Sequence, residues 1–369
     1  MTWIYFSFIG QKPLSQRDGI LESSGRINID AKNENTDGKI STDYRLPANA
    51  AKNLKMLFFG DLMLDRHVKE KIAKYGFNYL LTKLDTDGVF DERDIIGANL
   101  EGAVTNGGAH YPPANIYDFA FAPELLSNLK KYNFNFFNLA NNHLADQGER
   151  GIIETRSNLL ESGFDFSGCV DGEVGECSQK IIAKNGLKIG LVGLSMIYSQ
   201  FNAGEATKII SALSTSTDLV IVNIHWGEEY EHNFSRLQQE MAHELVAAGA
   251  DIIIGHHPHV VQGLEVYRTK RATANGAQAK VEVMRPIFYS LGNFIFDQYF
   301  SPDAQEELVV SINWTPKKME ITMLPMRSVG SQPYLLEGEE KEKFLEKFAG
   351  WSEIDNNLKQ QIKTGEINL

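Results

Sequence analysis

The sequence predicts an α/β domain with buried strands, and three observations predict it. Apolar runs of strand length alternate with segments of helical spacing from about residue 54 onward. Apolar residues make up 43% of the chain, enough for a sizeable core and too many for a disordered one. The apolar runs also stop, again and again, at residue types that bind metal ions. At 369 residues the chain is too long for one minimal domain and too short for three, so one large domain with appendages is expected.

In order, "MTWIYFSFIG" is apolar but has no basic start and is shorter than the roughly 20 residues of a membrane span. It reads either as the remnant of an export signal or as a ragged terminus. Residues 1–50 are otherwise polar, without apolar period, and read as a tail. The main domain is expected over 51–330, with 331–369 as a charged, partly helical C-terminal extension.

"NLKMLFFGDLML" and "DIIGANLEG" read as strands. "APELLSNLKKY" has helical spacing, with Leu125, Leu126 and Leu129 on one face. "FNFFNLANNH" is a strand ending in polar residues, and "GIIETRSNLLESG" is a helix stopped by Gly163. "LKIGLVGLSM" and "DLVIVNIHWG" are further strands, followed by the helix "LQQEMAHELVAAG", with Leu237, Met241 and Leu245 four apart. "DIIIGHH" and "RPIFYSLGNFIF" are strands, residues 268–284 a surface loop or hairpin extension, and "ELVVSINWTPKKMEITMLPM" a hairpin. No internal repeat is visible.

The formal net charge of −12, with no block of Lys and Arg, argues against nucleic acid as the main partner. Cys169 and Cys177 are the only cysteines, so a Cys₄ zinc site is excluded, and whether the two pair depends on compartment.

The strand ends carry the chemistry: Asp61, then Asn99 and Glu101, then Asn141, Asn142 and His143, then His225, then His256, His257 and His259. Ligands of α/β sheets bind outside the carboxyl ends of the strands, so these segments should converge. Imidazole, carboxylate and amide oxygen without thiolate suit zinc, manganese or iron, and so many donors suit two ions rather than one. Three histidines within four positions would repel one another when protonated, which favours a role as neutral ligands. His67, His110, His232 and His243 lack strand-end placement and are expected at the surface.

"FFGDLMLDR", "ANLEGAVT", "LANNHLADQGERG", "NIHWGEEY", "GADIIIGHHPHVVQGLEVY" and "FYSLGNFIFDQ" resemble, in order and spacing, the capsule-synthesis CapA family, named for poly-γ-glutamate capsule production in bacteria. The likeness spans about residues 54–300. That family is similar in turn to calcineurin-like metallophosphoesterases, so the resemblance implies a four-layer α/β/β/α sandwich with a two-metal site. It implies Asp61, Asn142, His225, His257 and His259 as ligands, Glu101 or Asn99 between the metals, and His143 as the acid or substrate-polarising group. "GHH" leaves a second alignment open, in which His256 replaces His257. Arg66 is the group expected to grip an anion. Glu229, Tyr230, Asp146 and Asn293 are expected to orient the ligands or substitute for one.

Two departures matter. The phosphoesterase histidine two residues after the first aspartate is Met63 here, and the second motif reads Asn99-Leu100-Glu101 instead of Gly-Asp. The first metal subsite is therefore expected to be weakened or rebuilt. The resemblance implies a metal-dependent hydrolase or transferase acting on an anionic polymer or phosphoester at the cell envelope, beside other capsule-synthesis membrane proteins. The alternatives are a non-catalytic assembly or export component with a degenerate metal cleft, and a general metallophosphoesterase.

Overall fold

The computed structural model describes residues 52–107, 117–272 and 280–369. The expected tail over 1–50, His110 and the tip of the 268–284 insert lie outside them.

The first half of the fold runs β1 (Leu54–Leu62), α1 (Arg66–Tyr75), α2 (Asn78–Thr86), β2 (Ile95–Leu100), β3 (Ala103–Val104), β4 (Ala120–Phe121), α3 (Leu125–Lys131), β5 (Phe136–Asn138), α4 (Gly148–Glu161) and β6 (Asp165–Ser167). Next come β7 (Gln179–Lys184), β8 (Leu187–Ser195), α5 (Ala203–Ser216), β9 (Leu219–His225), α6 (Arg236–Ala248), β10 (Ile252–His256), β11 (Val261–Ala272) and β12 (Lys280–Leu291). The remainder is β13 (Asn293–Ile295), β14 (Glu306–Thr315), β15 (Lys318–Val329), β16 (Gln332–Leu335), α7 (Gly338–Trp351), α8 (Asn356–Thr364) and β17 (Glu366–Asn368).

Two large sheets result. In one the order is β16-β15-β14-β1-β2-β5-β6, with β13 added to β1 and β17 to β15; in the other it is β11-β12-β10-β9-β8-β7. The strands that end in the candidate ligands are parallel neighbours within their sheets: β1, β2 and β5 in the first, β9 and β10 in the second.

Alternation along the strands decides the layering. Leu54, Met56 and Phe58 of β1 share one core with Ile189 and Leu191 of β8, Leu219 and Ile221 of β9, and Ile252 and Ile254 of β10. That core lies between the sheets. Leu57 and Phe59 face the other way, onto Leu80 and Leu84 of α2 and Leu126 and Leu129 of α3. Val220 and Val222 likewise face Leu213 of α5 and Met241 and Leu245 of α6. Period-two side chains buried on both faces explain why these strands read as continuous apolar runs. The order of layers is α/β/β/α, as the sequence led us to expect.

Several details differ from the sequence reading. Leu237 is 63% exposed and does not join Met241 and Leu245 on the buried face of α6. The helices α1, α2 and α5 and strand β7 were not singled out in the sequence. Residues 331–369 supply β16 and β17, both paired with β15, and the helices α7 and α8, whose Phe344, Phe348 and Ile362 enter the core between the sheets. Residues 268–284 extend the β11–β12 hairpin, paired as far as Ala272 and Lys280.

Cys169 and Cys177 form a disulfide across a sequence separation of 8. Closing a loop of that length stabilises the fold by about 2–3 kcal/mol in the chain-entropy account. Cys177→Ser is expected to lower Tm by several degrees in calorimetry under non-reducing conditions, and a thiol reductant should lower wild type to the same value. Equal melting of wild type with and without reductant would contradict this.

The chain passes between the sheets from β6 to β7 and again from β12 to β13, and the second crossing reaches the candidate ligands. The chain leaves the second sheet after Leu291, turns at Gly292 (φ 77), and enters the first as β13, parallel to β1 with Asn293 opposite Asp61. Asp61 N donates to Gly292 O at 3.0 Å.

Candidate metal centre

The carboxyl ends of strands from both sheets meet at one rim. Asp61, Asn99, Glu101 and His225 there are fully buried, and His256, His257 and His259 nearly so. Asn99 spaces the two carboxylates: its Nδ2 donates to Asp61 Oδ1 at 2.8 Å and to Glu101 Oε2 at 3.2 Å. Its Oδ1 accepts from Asn138 Nδ2 at 2.9 Å and Asn141 Nδ2 at 3.2 Å. Asn99 thus turns amide hydrogens, not its oxygen, toward the carboxylates.

The histidines come from the second sheet. His257 N donates to Asp61 Oδ2 at 3.3 Å, and His257 Nδ1 lies 3.1 Å from His225 Nε2. His225 Nε2 lies 2.7 Å from Asn142 Oδ1, which brings the third-strand loop into the group. His259 Nδ1 is 2.9 Å from Asn293 Oδ1 and 3.3 Å from Asp61 Oδ2, while its Nε2 is 3.7 Å from Glu101 Oε1. His257 and His259 have positive φ, 97° and 58°, a conformation that costs non-glycine residues energy and is found where surrounding structure enforces it.

Among the described residues two groups of ligand-type atoms form, each with all atoms within 4.8 Å: Asp61, Glu101 and His225 in one, Glu229, His257 and His259 in the other. The alignment left open by "GHH" resolves geometrically, since His257 and not His256 joins His259. His256 sits one residue back on β10, its Nε2 3.4 Å from Asn223 Oδ1 and its Nδ1 3.7 Å from Asp61 Oδ1.

His143 stands at the mouth. Its Nδ1 is 2.7 Å from Asp146 Oδ2, its Nε2 3.7 Å from Glu101 Oε1, and its ring packs on Phe119 at 4.2 Å. Asp146 Oδ2 also accepts from Phe119 N at 2.9 Å, so one carboxylate sets both rings. Arg66 is close, stacked on Phe119 at 4.8 Å, but its guanidinium is ion-paired with Asp297. Its charge is therefore already matched. Tyr230, exposed beside the same rim, approaches His259 at 6.1 Å between rings and accepts from Gln298 Nε2 at 3.2 Å.

The electrostatics favour a cation. Burial, then the charge of Asp61, pushes the Glu101 carboxyl well above its ordinary value. Burial would raise Asp61 too, but the hydrogen bond and charge of His259 outweigh it and lower it. Burial works against a charged His259, yet Glu101 and Asp61 hold its pKa at about 9, so without a metal the ring takes up a proton that a bound cation would displace. Burial lowers His256 to about 4 and His257 to about 3, and His225 well below its usual value, leaving the neutral imidazoles that metal binding requires. Glu101 Oε1 and His256 Nδ1 are buried without a hydrogen-bond partner. Unpaired buried polar atoms are costly, and a divalent ion would satisfy a carboxylate oxygen placed this way. The donor set fits a metal.

Some participants carried no sequence signal. Glu307, in the strand β14, accepts from Gly60 N at 3.0 Å directly behind Asp61. It reads as a polar residue in a hairpin until the sheets are assembled, and Asn138, Asn223 and Asp297 are similar. The outlying histidines are corrected in part: His67 is exposed, but His232 stacks on Trp351 at 4.1 Å and His243 lies 2.7 Å from Glu265 Oε1, both half-buried.

Comparison with known proteins places the chain in a family. Capsule biosynthesis protein CapA of Bacillus anthracis is 33% identical over 281 residues, covering 69% of this chain and 63% of that protein. PGA biosynthesis protein CapA of Bacillus subtilis (strain 168) is 30% identical over 271 residues, covering 69% and 67%. A probable polyglutamine synthesis accessory protein of Mycobacterium tuberculosis is 22% identical over 228 residues, 55% of this chain and 56% of that one. The chain thus spans about two thirds of the length of the Bacillus relatives. The family described as bacterial capsule synthesis protein PGA_cap matches residues 55–298, which hold every ligand-type residue of the rim. With a metallophosphoesterase-like sandwich beneath those residues, the chain belongs to the PGA_cap family of bacterial capsule synthesis proteins.

Proposed function

We propose that this protein is a metal-dependent hydrolase or transferase of capsule synthesis, acting on an anionic envelope polymer of the poly-γ-glutamate type. The observation that carries the reading is the pair of ligand groups at one rim, built around two buried carboxylates of which one oxygen has no hydrogen-bond partner. Asp61, Glu101, His225, Asn142, His257 and His259 would hold the ions. Imidazole and carboxylate donors without thiolate favour zinc, manganese or iron, and two of them. Such ions supply Lewis-acid polarisation of a carbonyl or phosphoryl oxygen.

The chain's own groups do the rest. Asp146 accepts the His143 Nδ1 proton, which fixes the ring and leaves Nε2 facing the cleft. Protonated on both nitrogens, His143 would pass its Nε2 proton to a leaving group as general acid and be left as the Nδ1–H tautomer held by Asp146. Phe119 limits water on one side of that ring. The Cys169–Cys177 bridge favours an oxidising compartment, in keeping with work at the cell envelope beside membrane proteins of capsule synthesis. Among the described residues, no helix is long and apolar enough to cross a membrane.

The decisive assay follows γ-glutamyl peptide, phosphomonoester and phosphodiester cleavage with added Mn²⁺. Wild type should turn over the γ-glutamyl substrate, and His143→Ala should slow it by about 10²–10⁴-fold. Turnover of phosphoesters alone would make it a general metallophosphoesterase, and indifference to chelators would end the metal-dependent reading.

A second reading rests on Met63. Its side chain is fully buried, so the cleft could hold polymer without turnover. Polymer binding that survives His143→Ala, with no cleavage by wild type, would favour this non-catalytic role.

A further inference from the structure

We infer that Glu229 is a cation ligand, forming with His257 and His259 a second subsite that adjoins the Asp61, Glu101 and His225 group. The inference rests on reading the rim as a metal centre. It deepens that reading by assigning the carboxylate of the more open subsite.

Position 63 offers no donor. Met63 is fully buried among the side chains beneath α1 and α2, and its Sδ accepts from Asp65 N at 3.0 Å. A thioether is in any case a poor ligand for a borderline divalent ion. The donors must come from elsewhere, and the loop after β9 supplies one. Ligand atoms of Glu229, His257 and His259 all lie within 4.8 Å of one another.

That proximity is held by backbone. Tyr230 N donates to Pro258 O at 2.8 Å, so the residue after Glu229 is bonded to the residue between the two histidines. Tyr230 (φ 67), His257 and His259 all take left-handed backbone conformations, which side-chain residues adopt only under constraint. His259 directs Nδ1 to Asn293 and Asp61, which orients the ring as a neighbouring hydrogen-bond acceptor orients a ligating histidine and leaves Nε2 available. Two imidazoles and one carboxylate suit zinc, manganese or iron, and the exposed Glu229 leaves room for a substrate atom to complete the shell.

The test is metal stoichiometry of the full chain, stripped with chelator and dialysed against Zn²⁺ or Mn²⁺, with bound metal counted by mass spectrometry. Wild type should hold two ions. Glu229→Gln should hold one, the other weakened by at least about tenfold, equivalent to about 1.4 kcal/mol. Glu228→Gln, an exposed neighbour outside the group, should still hold two. Circular dichroism of the metal-free variants checks that each is folded. If Glu229→Gln keeps the wild-type stoichiometry and affinity, Glu229 is not a ligand while the metal centre stands. If wild type binds neither ion and its Tm ignores both, the inference and the metal-dependent function fall together.

Discussion

Gly60→Ala is expected to leave little or no folded protein. A Cβ at residue 60 would sit 1.9 Å from Gly292 O and 2.8 Å from Gly292 C. Both are backbone atoms, so no side chain can swing aside, and the crossing from the second sheet into β13 would have to move. Gly60 N holds Glu307 Oε1 and Asp61 N holds Gly292 O, so the displacement would also break the support of Asp61. Overpacking a rigid site of this kind costs at least about 3 kcal/mol. Soluble yield and Tm measure it, with Gly350→Ala as the control. A Cβ at Gly350, within α7, meets nothing within 4 Å, so that change should be neutral or stabilise by up to about 1 kcal/mol. A Gly60→Ala protein that melts like wild type would refute the account of the crossing.

The second large effect has opposite signs in two states. Glu101→Gln should stabilise the metal-free protein and weaken metal binding. Without a cation, Glu101 is fully buried beside Asp61 with one oxygen unpaired, and its pKa is raised far above the ordinary 4.5 by burial and then by Asp61. A raised carboxyl pKa means that the folded state keeps a proton the unfolded chain has lost. The group's contribution is therefore most favourable below pH 4.5 and declines as pH rises toward the folded value. Glutamine carries no such dependence, so the advantage of the variant should grow with pH. Removing an unsatisfied buried group is worth about 1–3 kcal/mol, a Tm rise of several degrees. With Zn²⁺ or Mn²⁺ present the order should reverse, because the variant loses a charged ligand. Melting curves of both proteins, with chelator and with metal, across pH 5 to 8, would show it. A variant less stable than wild type under chelator at every pH would contradict the electrostatic reading.

The alternation of buried strands with helices and the polar strand ends were legible because they rest on local patterns, while the four layers came only with the family resemblance. Runs such as "KIGLVGL" and "LVIVNIH" bury both faces, and each ends where a polar side chain must point out of the sheet. What was not legible depends on tertiary partners. Arg66 looked like a free anion grip because Asp297, 231 residues away, gives no local sign of pairing with it. Asn99 looked like a ligand because only the assembled neighbours Asn138 and Asn141 show which way its amide turns. Leu237 fitted the apolar period of α6 but lies in the helix's first turn, where its side chain is exposed. Residues 331–369 seemed peripheral by charge, yet Phe344 and Phe348 lie on the side of α7 that meets the core.

The passage of β12 through Gly292 into β13 would matter to any ion the rim holds. Donor-type side chains come from both sheets, and this short strap, with the link from β6 to β7, keeps the two sets in register. An ion held by both sheets would bind the folded protein and not the unfolded chain, so its binding would add to the stability of the fold. Each tightly held cation then acts as a rivet through the sandwich, adding about 2.7 kcal/mol when free metal is 100 times its Kd. The working life of the protein would be set by how much metal its surroundings hold.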